Sequence, residues 1–496
     1  MKTIDHVIGG REQHGESARM GEVYNPATGE VTARVAFASP EVVDEAVRAA
    51  ASAFEAWREV PLTKRVQILF AFRELMDDHR DDLALLVTAE HGKVHSDALG
   101  EVQRGLEVVE FACGIPHLIK GEYADNVSRG VDTYSLLQPL GVVAGVSPFN
   151  FPVMVPMWMY PVALACGNTF VLKPSEKDPS AANLMAELLA EAGVPGGVFN
   201  VVHGDKVAVE ALLEHPGVTA VSSVGSTPVA RYIYETAARN GKRVQALGGA
   251  KNHMVVLPDA DMDLAADAAV NAAYGSSGQR CMAISALVTV GAAGDALLER
   301  IRARAGALKV GPGTDPESEM GPLVTDQHRD KVLSYIESGM NEGAELAIDG
   351  RRLEVEGHEG GFFLGPCLFD RVGPDMSIYR DEIFGPVLIM LRAGTFEEAV
   401  ALVNENPYGN GTAVFTNDGG AARRFVRDIE VGMVGVNVPI PVPVGSFSFG
   451  GWKQSLFGDT HIYGPEGINF YTRRKVVTSR WPNPEARGVD LGFPHK

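Results

Sequence analysis

The sequence is poor in cysteine and in uninterrupted apolar runs, and each shortage excludes a class of protein. Four of its 496 residues are cysteines and none belongs to a CxxC pair, so we expect no structural zinc and no other metal site. No apolar core follows Lys2, so we expect no export signal and a cytoplasmic protein with free thiols. Three prolines interrupt the apolar stretch 149–166, so we expect no membrane span.

Positive charge is also scarce. Lysine and arginine total 44 against 63 aspartates and glutamates, which gives a formal net charge of -19. An acidic surface repels phosphate backbones and anionic lipids, so nucleic acid and membrane partners are not expected. A chain of this length exceeds what one hydrophobic core usually supports, and two or more packed lobes are therefore predicted.

Alternating strands and helices dominate the chain from residue 142 onward. Short apolar runs predict buried strands, and the stretches between them predict helices, which together indicate a doubly wound parallel sheet. A second α/β series is predicted over 265–437, and the tail after Phe470 predicts an edge strand that pairs with another subunit. The strands of the first series are predicted at 142–146, 169–173, 198–202 and 219–223. Helices are predicted from the cap Ser39 to Trp57 and over 62–90, 96–113, 181–192 and 228–240.

Cys281 lies in the segment GSSGQRCMA, directly after flexible glycines and beside Arg280. Glycine lets a backbone approach a ligand closely, and a cationic neighbour is expected to lower the pKa of a thiol. A lone cysteine is more often an inert buried thiol. That interpretation is given to the other three, Cys113, Cys166 and Cys367.

Polar side chains follow the predicted strands at their carboxyl ends, where ligands of doubly wound sheets bind. Asn150 supplies an amide of the kind that stabilises an oxyanion, although it is equally typical of a turn. Lys173 and Glu176 are placed to meet a ribose, or else form a solvated loop. Ser226 opens a helix, as phosphate sites do.

These segments, in this order, resemble the aldehyde dehydrogenase superfamily from about residue 20 to residue 480. The motifs are SPFNFP, KPSE, VGST, GQRCMA, EIFGPV and GGWKQS. The resemblance implies that Cys281 is the nucleophile and that Asn150 and the Cys281 N–H form the oxyanion hole. It also implies NAD as the cofactor, with Glu176 disfavouring NADP. The implied cofactor contacts are Ser147, Phe149, Lys173, Glu176, Lys177, Ser226, Glu382 and Phe384.

One segment departs from the family pattern. Most members carry a glutamate in an ELGGK segment that helps to activate water, whereas Ala246 or Leu247 stands in its place here. Neither residue can act as a general base. The departure, together with GAKNH and RGLEVVEFA, is similar to the CoA-acylating methylmalonate-semialdehyde dehydrogenases. In that subgroup two arginines hold the substrate carboxylate, and they match Arg104 and Arg280.

The resemblance therefore implies a covalent thioester on Cys281 that passes to coenzyme A. Methylmalonate semialdehyde would lose carbon dioxide and give propionyl-CoA, and malonate semialdehyde would give acetyl-CoA. Two alternatives remain, a hydrolytic aldehyde dehydrogenase that releases a free acid and a non-catalytic relative.

The resemblance also predicts the organisation of the chain. We expect an α/β fold with a Rossmann-type nucleotide-binding lobe, an α/β catalytic lobe and a small oligomerisation arm, assembled as a homotetramer (a dimer of dimers). Residues 1–122 and 142–250 are assigned to the NAD-binding domain, with 440–470 packed on it. Residues 251–439 are assigned to the catalytic domain, and 123–141 with 471–496 to the arm.

Overall fold

The first large sheet has eight strands, five of them parallel. The computed structural model describes residues 2–13 and 18–481. The parallel strands are rich in valine and alanine and are buried on both faces, as helices on either side of a sheet require. In spatial order the strands are Leu456–Phe457, Arg243–Leu247, Val218–Val224, Val142–Val146, Thr169–Lys173, Phe199–Val201, His6–Ile8 and Arg11–Gln13. The predictions for 142–146 and 169–173 are confirmed to the residue, and the other two strands differ by one residue at each end.

The second large sheet has seven strands, six of them parallel. The chain enters it through Asn252–Val256, five residues after leaving the first sheet at Leu247. Its strands in spatial order are Glu345–Ile348, Cys367–Asp370, Val387–Ala393, Ile284–Val290, Asn252–Val256, Gly411–Phe415 and Met433–Val436. This order confirms a second α/β series.

Three small sheets complete the strand set. One contains Lys2–Ile4, Met20–Asn25 and Glu30–Ala36, and another pairs Tyr408–Gly409 with Trp452–Lys453. In the third, the tail strand Thr472–Arg480 pairs along its whole length with Val131–Pro139 of its own chain, and that strand pairs with Tyr123–Ser128. The tail is thus an edge strand, and pairing of its open side with another subunit stays a prediction. The domain boundaries also stay predictions, and residues 1, 14–17 and 482–496 lie outside the described residues.

The helices follow the predicted pattern with one error. Ser39 caps the first helix by accepting a hydrogen bond from the Val42 N–H. The single helix predicted over 62–90 is wrong, because the chain leaves helical geometry at His79, whose ring lies 2.8 Å from the Asp82 carboxylate. The helices are Pro40–Trp57, Leu62–Asp78, Arg80–His91, His95–Cys113, Met154–Met157, Tyr160–Ala165, Ser180–Glu191, Lys206–Glu214, Thr227–Arg239, Met262–Tyr274, Ala293–Ala305, Asp326–Asn341, Ser377–Arg380, Phe396–Glu405, Gly419–Asp428 and Gly464–Tyr471, with short 3-10 turns at Ile115–His117 and Gly275–Gly278.

Candidate active site

Cys281 lies in a loop whose backbone is unusual. The three residues Ser276, Ser277 and Gly278 all have positive φ, between 52° and 71°, just before the cysteine. Left-handed serines are strained, and such strain concentrates at functional sites. A Cβ at Gly278 would collide with the Gly385 carbonyl oxygen, so glycine is required for this loop to pack against the EIFGPV segment.

Two asparagine side chains fix the backbone of the cysteine. The Cys281 carbonyl oxygen accepts hydrogen bonds from Asn252 Nδ2 at 2.8 Å and from Asn410 Nδ2 at 3.1 Å. Asn252 begins the strand Asn252–Val256, and Asn410 directly precedes the neighbouring strand Gly411–Phe415. No local pattern in the sequence links either asparagine to Cys281. A small cavity adjoins the thiol and is lined by Ala250, Asn252, Gly278, Arg280, Ile284, Glu382 and Phe384, among others.

The thiol of Cys281 is held in its neutral form. Burial raises its pKa to about 12, and the charge of Glu382 adds to the rise. The backbone N–H groups of Cys281 and Met282, and then Arg280, act in the opposite direction. Arg280 therefore lowers the pKa of the thiol, as predicted. The expected net decrease is wrong, because burial and Glu382 raise that pKa by more. Arg280 is neutralised in part by Asp97, whose Oδ1 lies 2.7 Å from its Nη2.

Glu382 is a carboxyl placed at the junction of the two sheets. Its Oε1 accepts a hydrogen bond from the Ala250 N–H at 2.8 Å, and its other oxygen lies so close to Gly249 that a Cβ there would collide with it. Burial raises its pKa to about 7, against the opposing effects of the Ala250 N–H and of Lys251. Glu382 and Cys281 line the same cavity, so the structure brings these two predicted site residues together.

Asn150 lies at the carboxyl end of the strand Val142–Val146 and is 3% exposed. Its backbone carbonyl accepts a hydrogen bond from Lys93, but its side-chain amide makes none within residues 2–13 and 18–481. An amide without a partner in the protein is free to donate a hydrogen bond to a ligand. This is the state required of an oxyanion donor before substrate arrives.

The carboxyl ends of the first sheet fit a dinucleotide. Ser147 Oγ is buried without a hydrogen-bond partner in the part of the chain described, immediately after the strand Val142–Val146. Lys173 is the last residue of the next strand and Glu176 follows it, with Lys173 Nζ 3.0 Å from Glu176 Oε2. Ser226 precedes the helix Thr227–Arg239 and its side chain makes no capping bond, which leaves both its hydroxyl and the helix N-terminus available to a phosphate.

An aromatic cluster lies beside these groups. The rings of Phe149 and Phe384 pack edge to face with centroids 5.9 Å apart. The Lys177 ammonium lies 4.5 Å from the centroid of the Phe149 ring, and its contact with the cofactor stays a prediction. His328 was not singled out in the sequence. Its Nε2 lies 2.7 Å from the carbonyl oxygen of Phe384, and the backbone of Phe384 has a positive φ of 62°.

Both predicted carboxylate-binding arginines are engaged by the protein. Arg104 Nη1 donates to both oxygens of Glu107, at 2.8 and 3.0 Å, and its Nη2 donates to the Val442 carbonyl at 3.0 Å. Burial raises the pKa of the Tyr463 phenol, and the charge of Arg104 opposes that rise. Each arginine thus lies beside its own carboxylate, Arg104 beside Glu107 and Arg280 beside Asp97.

Of the two residues in place of the family's glutamate, Leu247 lies on the side of its strand nearer to Cys281. Leu247 belongs to the large apolar cluster that includes Met282 and against which Cys281 packs. Ala246 belongs to a different cluster, with Val244 and Phe457. Neither side chain can act as a general base toward water.

Asp97, Glu101 and Lys93 were missed as site residues. The first two share the helix His95–Cys113 with Arg104 at helical spacing, and acidic residues on an otherwise buried face were the available signal.

Within the described ranges, no group of three or more His, Cys, Asp or Glu side chains is arranged to hold a metal. Over those same residues, no helix has the length and apolar character that crossing a bilayer demands.

Comparison with known proteins agrees with this geometry. Residues 13–477 match the model of the aldehyde dehydrogenase family. The chain is 56% identical to a malonate-semialdehyde dehydrogenase of Pseudomonas aeruginosa, over 97% of each chain. It is similar to the crystal structure of a methylmalonate-semialdehyde dehydrogenase of Oceanimonas doudoroffii (TM-score 0.96, 55% identity, covering 98% of this chain and 100% of that one). A Sinorhizobium meliloti protein named for the same activity, crystallised with NAD, gives a TM-score of 0.97 at 51% identity, covering 97% and 99%.

Proposed function

The chain belongs to the aldehyde dehydrogenase family, and from that premise we propose that it is an NAD-dependent, CoA-acylating dehydrogenase of methylmalonate and malonate semialdehydes. The products are propionyl-CoA and acetyl-CoA respectively, with loss of carbon dioxide. The names of its relatives support the substrate class, and the NAD complex of the Sinorhizobium meliloti protein supports the cofactor.

The proposal rests above all on two guanidinium groups, one beside the nucleophile and one on the helix bound to it. Arg280 lines the cavity of Cys281 and pairs with Asp97, and Arg104 lies two turns after Asp97 on the helix His95–Cys113. A semialdehyde carries a carboxylate that must be desolvated near the thiol, and arginine binds carboxylates with two parallel hydrogen bonds. An enzyme for uncharged aldehydes has no use for such a pair.

In the first step the half-buried thiol of Cys281 releases its proton to solvent, and the resulting thiolate attacks the aldehyde carbon. The thiolate is stabilised by the backbone N–H groups of Cys281 and Met282 and by Arg280, which oppose the effect of burial on its pKa. As the sulfur–carbon bond forms, negative charge develops on the former carbonyl oxygen. The unengaged amide of Asn150 and the Cys281 N–H are the donors that we assign to that oxygen.

Oxidation follows with the cofactor in the groove at the ends of the first sheet. Bound NAD supplies the hydride acceptor. Ser147, Lys173, Glu176 and Ser226 would hold it along the strand ends, and Glu382 would accept hydrogen bonds from a ribose near the thiol. Phe149 and Phe384 exclude water from the same region, which protects the thioester that oxidation leaves on Cys281.

Transfer to coenzyme A is favoured by the lack of a hydrolytic base at Leu247. One observation favours the hydrolytic alternative: Glu382 lines the Cys281 cavity, and a carboxyl with a pKa of about 7 suits general base catalysis at neutral pH. The two functions differ in their need for coenzyme A, so the choice between them is open to direct measurement.

The test is a substrate panel with and without coenzyme A. Methylmalonate semialdehyde, malonate semialdehyde and propanal are incubated with NAD while NADH, acyl-CoA and free acid are followed, and Cys281→Ala serves as the blank. We expect a burst of NADH followed by slow turnover without coenzyme A, and steady formation of acyl-CoA with it. A steady rate that ignores coenzyme A and releases free acid would establish hydrolysis instead.

The proposal includes a cytoplasmic homotetramer. The reaction needs a reduced Cys281, and reducing compartments keep such thiols free. The small sheet of the tail exposes Leu136 and Val476, apolar side chains that a neighbouring subunit would cover.

A further inference from the structure

A fully buried ion pair lies behind the Asn150 loop. Lys93 Nζ and Glu101 Oε2 are 2.7 Å apart, and neither side chain is exposed at all. The same ammonium donates to the Asn150 carbonyl oxygen at 2.7 Å and lies 4.1 Å above the Phe151 ring. Replacing a buried pair by apolar residues is often neutral or stabilising, so burial of these charges calls for a reason other than stability.

Glu101 holds the next turn of the same loop. Its Oε1 accepts hydrogen bonds from the backbone N–H groups of Val153 at 2.8 Å and Met154 at 3.1 Å. Together the two side chains bind the backbone on both sides of Pro152. The amide of Asn150 itself makes no hydrogen bond within the described ranges, so the direction in which it points depends on how its backbone is held.

We propose that Lys93 and Glu101 are positioning residues that orient the Asn150 amide toward the oxygen of the aldehyde adduct. The inference rests on the proposed function, since it assigns Asn150 to the oxyanion. Neither residue contacts substrate in this scheme, and both act through the backbone of the Asn150 loop.

The helix that carries Glu101 extends this control to the other half of the oxyanion hole. Asp97, one turn earlier in His95–Cys113, binds Arg280 at 2.7 Å, directly beside Cys281. The N–H of Cys281 and the side-chain amide of Asn150 are therefore both positioned by contacts with the same helix, His95–Cys113. Oxyanion donors act only within a few tenths of an ångström of their required positions, so a shared anchor serves the reaction.

The test is a double-mutant cycle between Lys93→Met and Asn150→Ala, read as the rate of the NADH burst on propanal, which lacks the carboxylate. Lys93→Met alone should slow the burst by about 10- to 100-fold, somewhat less than loss of the donor itself. In the Asn150→Ala background the same change should have little further effect, because the residue through which it acts is gone. Lys93→Arg should recover part of the rate.

Two further measurements separate positioning from a purely structural role. Alkylation of Cys281 by iodoacetamide and the affinity for NAD do not use the oxyanion hole, so both should keep wild-type values in Lys93→Met. If the lone Glu101 carboxylate prevents folding, Lys93→Met with Glu101→Met removes both charges and enters the cycle instead. The proposal is overturned if the losses in burst rate from Lys93→Met and Asn150→Ala multiply in the double variant. It is also overturned if Lys93→Met slows the alkylation of Cys281 as much as it slows the burst. A normal burst in Asn150→Ala would also overturn the proposal, because Asn150 would not be the oxyanion donor, whereas the absence of a burst in the wild type would refute the proposed function itself.

Discussion

Arg280 donates a hydrogen bond to Asp97 at 2.7 Å, and this contact joins the loop of Cys281 to the helix that carries Arg104. The nucleophile and the more distant of the two guanidiniums are therefore positioned by one element. Arg280 lowers the pKa of Cys281, but burial and the charge of Glu382 outweigh it and raise that pKa to about 12. The chemistry of the site is thus governed by contacts between segments far apart in the chain.

The first prediction concerns the nucleophile. Cys281→Ala should reduce NADH formation to background while the affinity for NAD stays close to wild type, because no cofactor contact we assign involves the thiol. Cys113→Ala is the matched control: this buried thiol, with its pKa raised to about 12 by burial, ends the helix His95–Cys113 and packs in the core, so its loss should leave turnover intact. Turnover that survives in Cys281→Ala would exclude a covalent route.

The second prediction concerns the choice of cofactor. Glu176, 3.0 Å from Lys173, should accept hydrogen bonds from ribose hydroxyls and repel a 2′-phosphate. NAD should therefore be preferred over NADP. In Glu176→Gln the ratio of kcat/KM for NAD to kcat/KM for NADP should fall by about tenfold or more, as the loss of a charged hydrogen bond implies. Glu187→Gln, on the exposed face of the next helix, is the control and should leave the ratio unchanged. Preference of the wild type for NADP would show that Glu176 is misassigned.

The third prediction follows from the pKa of Glu382, which burial raises to about 7. Below that pH the carboxyl is protonated, and above it the ionised form accepts hydrogen bonds from a ribose more strongly. The affinity for NAD should therefore increase as the pH rises through about 7, measured by fluorescence titration between pH 5.5 and 8.5. The affinity of Glu382→Gln should be weaker and should not change over that range. Parallel pH profiles for the two proteins would place the titrating group elsewhere.

Local sequence patterns predicted the first sheet well. Strands such as Thr169–Lys173 are runs of buried residues, and the order of strand and helix determines where their carboxyl ends meet. Lys173, Glu176 and Ser226 were found for that reason. The break at His79 was missed because the apolar positions of the two helices continue in nearly the same phase on either side of it.

Contacts between distant segments could not be predicted in this way. Asp97 and Arg280 are 183 residues apart, and Lys93 and Asn150 are 57 apart, so no spacing rule links them. The pKa of Cys281 was misjudged for the same reason. Its cationic neighbour is visible in the sequence, whereas the burial and the nearby Glu382 that outweigh it come from the tertiary fold.

The last prediction concerns Arg104 and the substrate class. The guanidinium is held by Glu107 and by the Val442 carbonyl, which leaves it oriented but only partly neutralised. A semialdehyde carboxylate bound in its vicinity would otherwise be desolvated without a partner, at a cost of several kcal/mol. Arg104→Leu should therefore raise the KM for methylmalonate semialdehyde steeply. A charge-assisted hydrogen bond contributes about 1.5–3 kcal/mol, so kcat/KM should fall roughly ten- to a hundredfold.

Uncharged propanal makes the measurement specific. Its efficiency in Arg104→Leu should match wild type or improve slightly, because no carboxylate is lost from the pocket. Arg73→Leu is the matched control: Arg73 is also paired with carboxylates, Asp77 on its own helix and Glu110 on the helix that carries Arg104, and its loss should leave both substrates unaffected. Arg280 is less suited to this test, because its removal also changes the pKa of Cys281 and hence the rate with every aldehyde. If the ratio of semialdehyde to propanal efficiency in Arg104→Leu equals that of wild type, Arg104 does not bind the carboxylate, and the assignment to semialdehydes loses its physical basis.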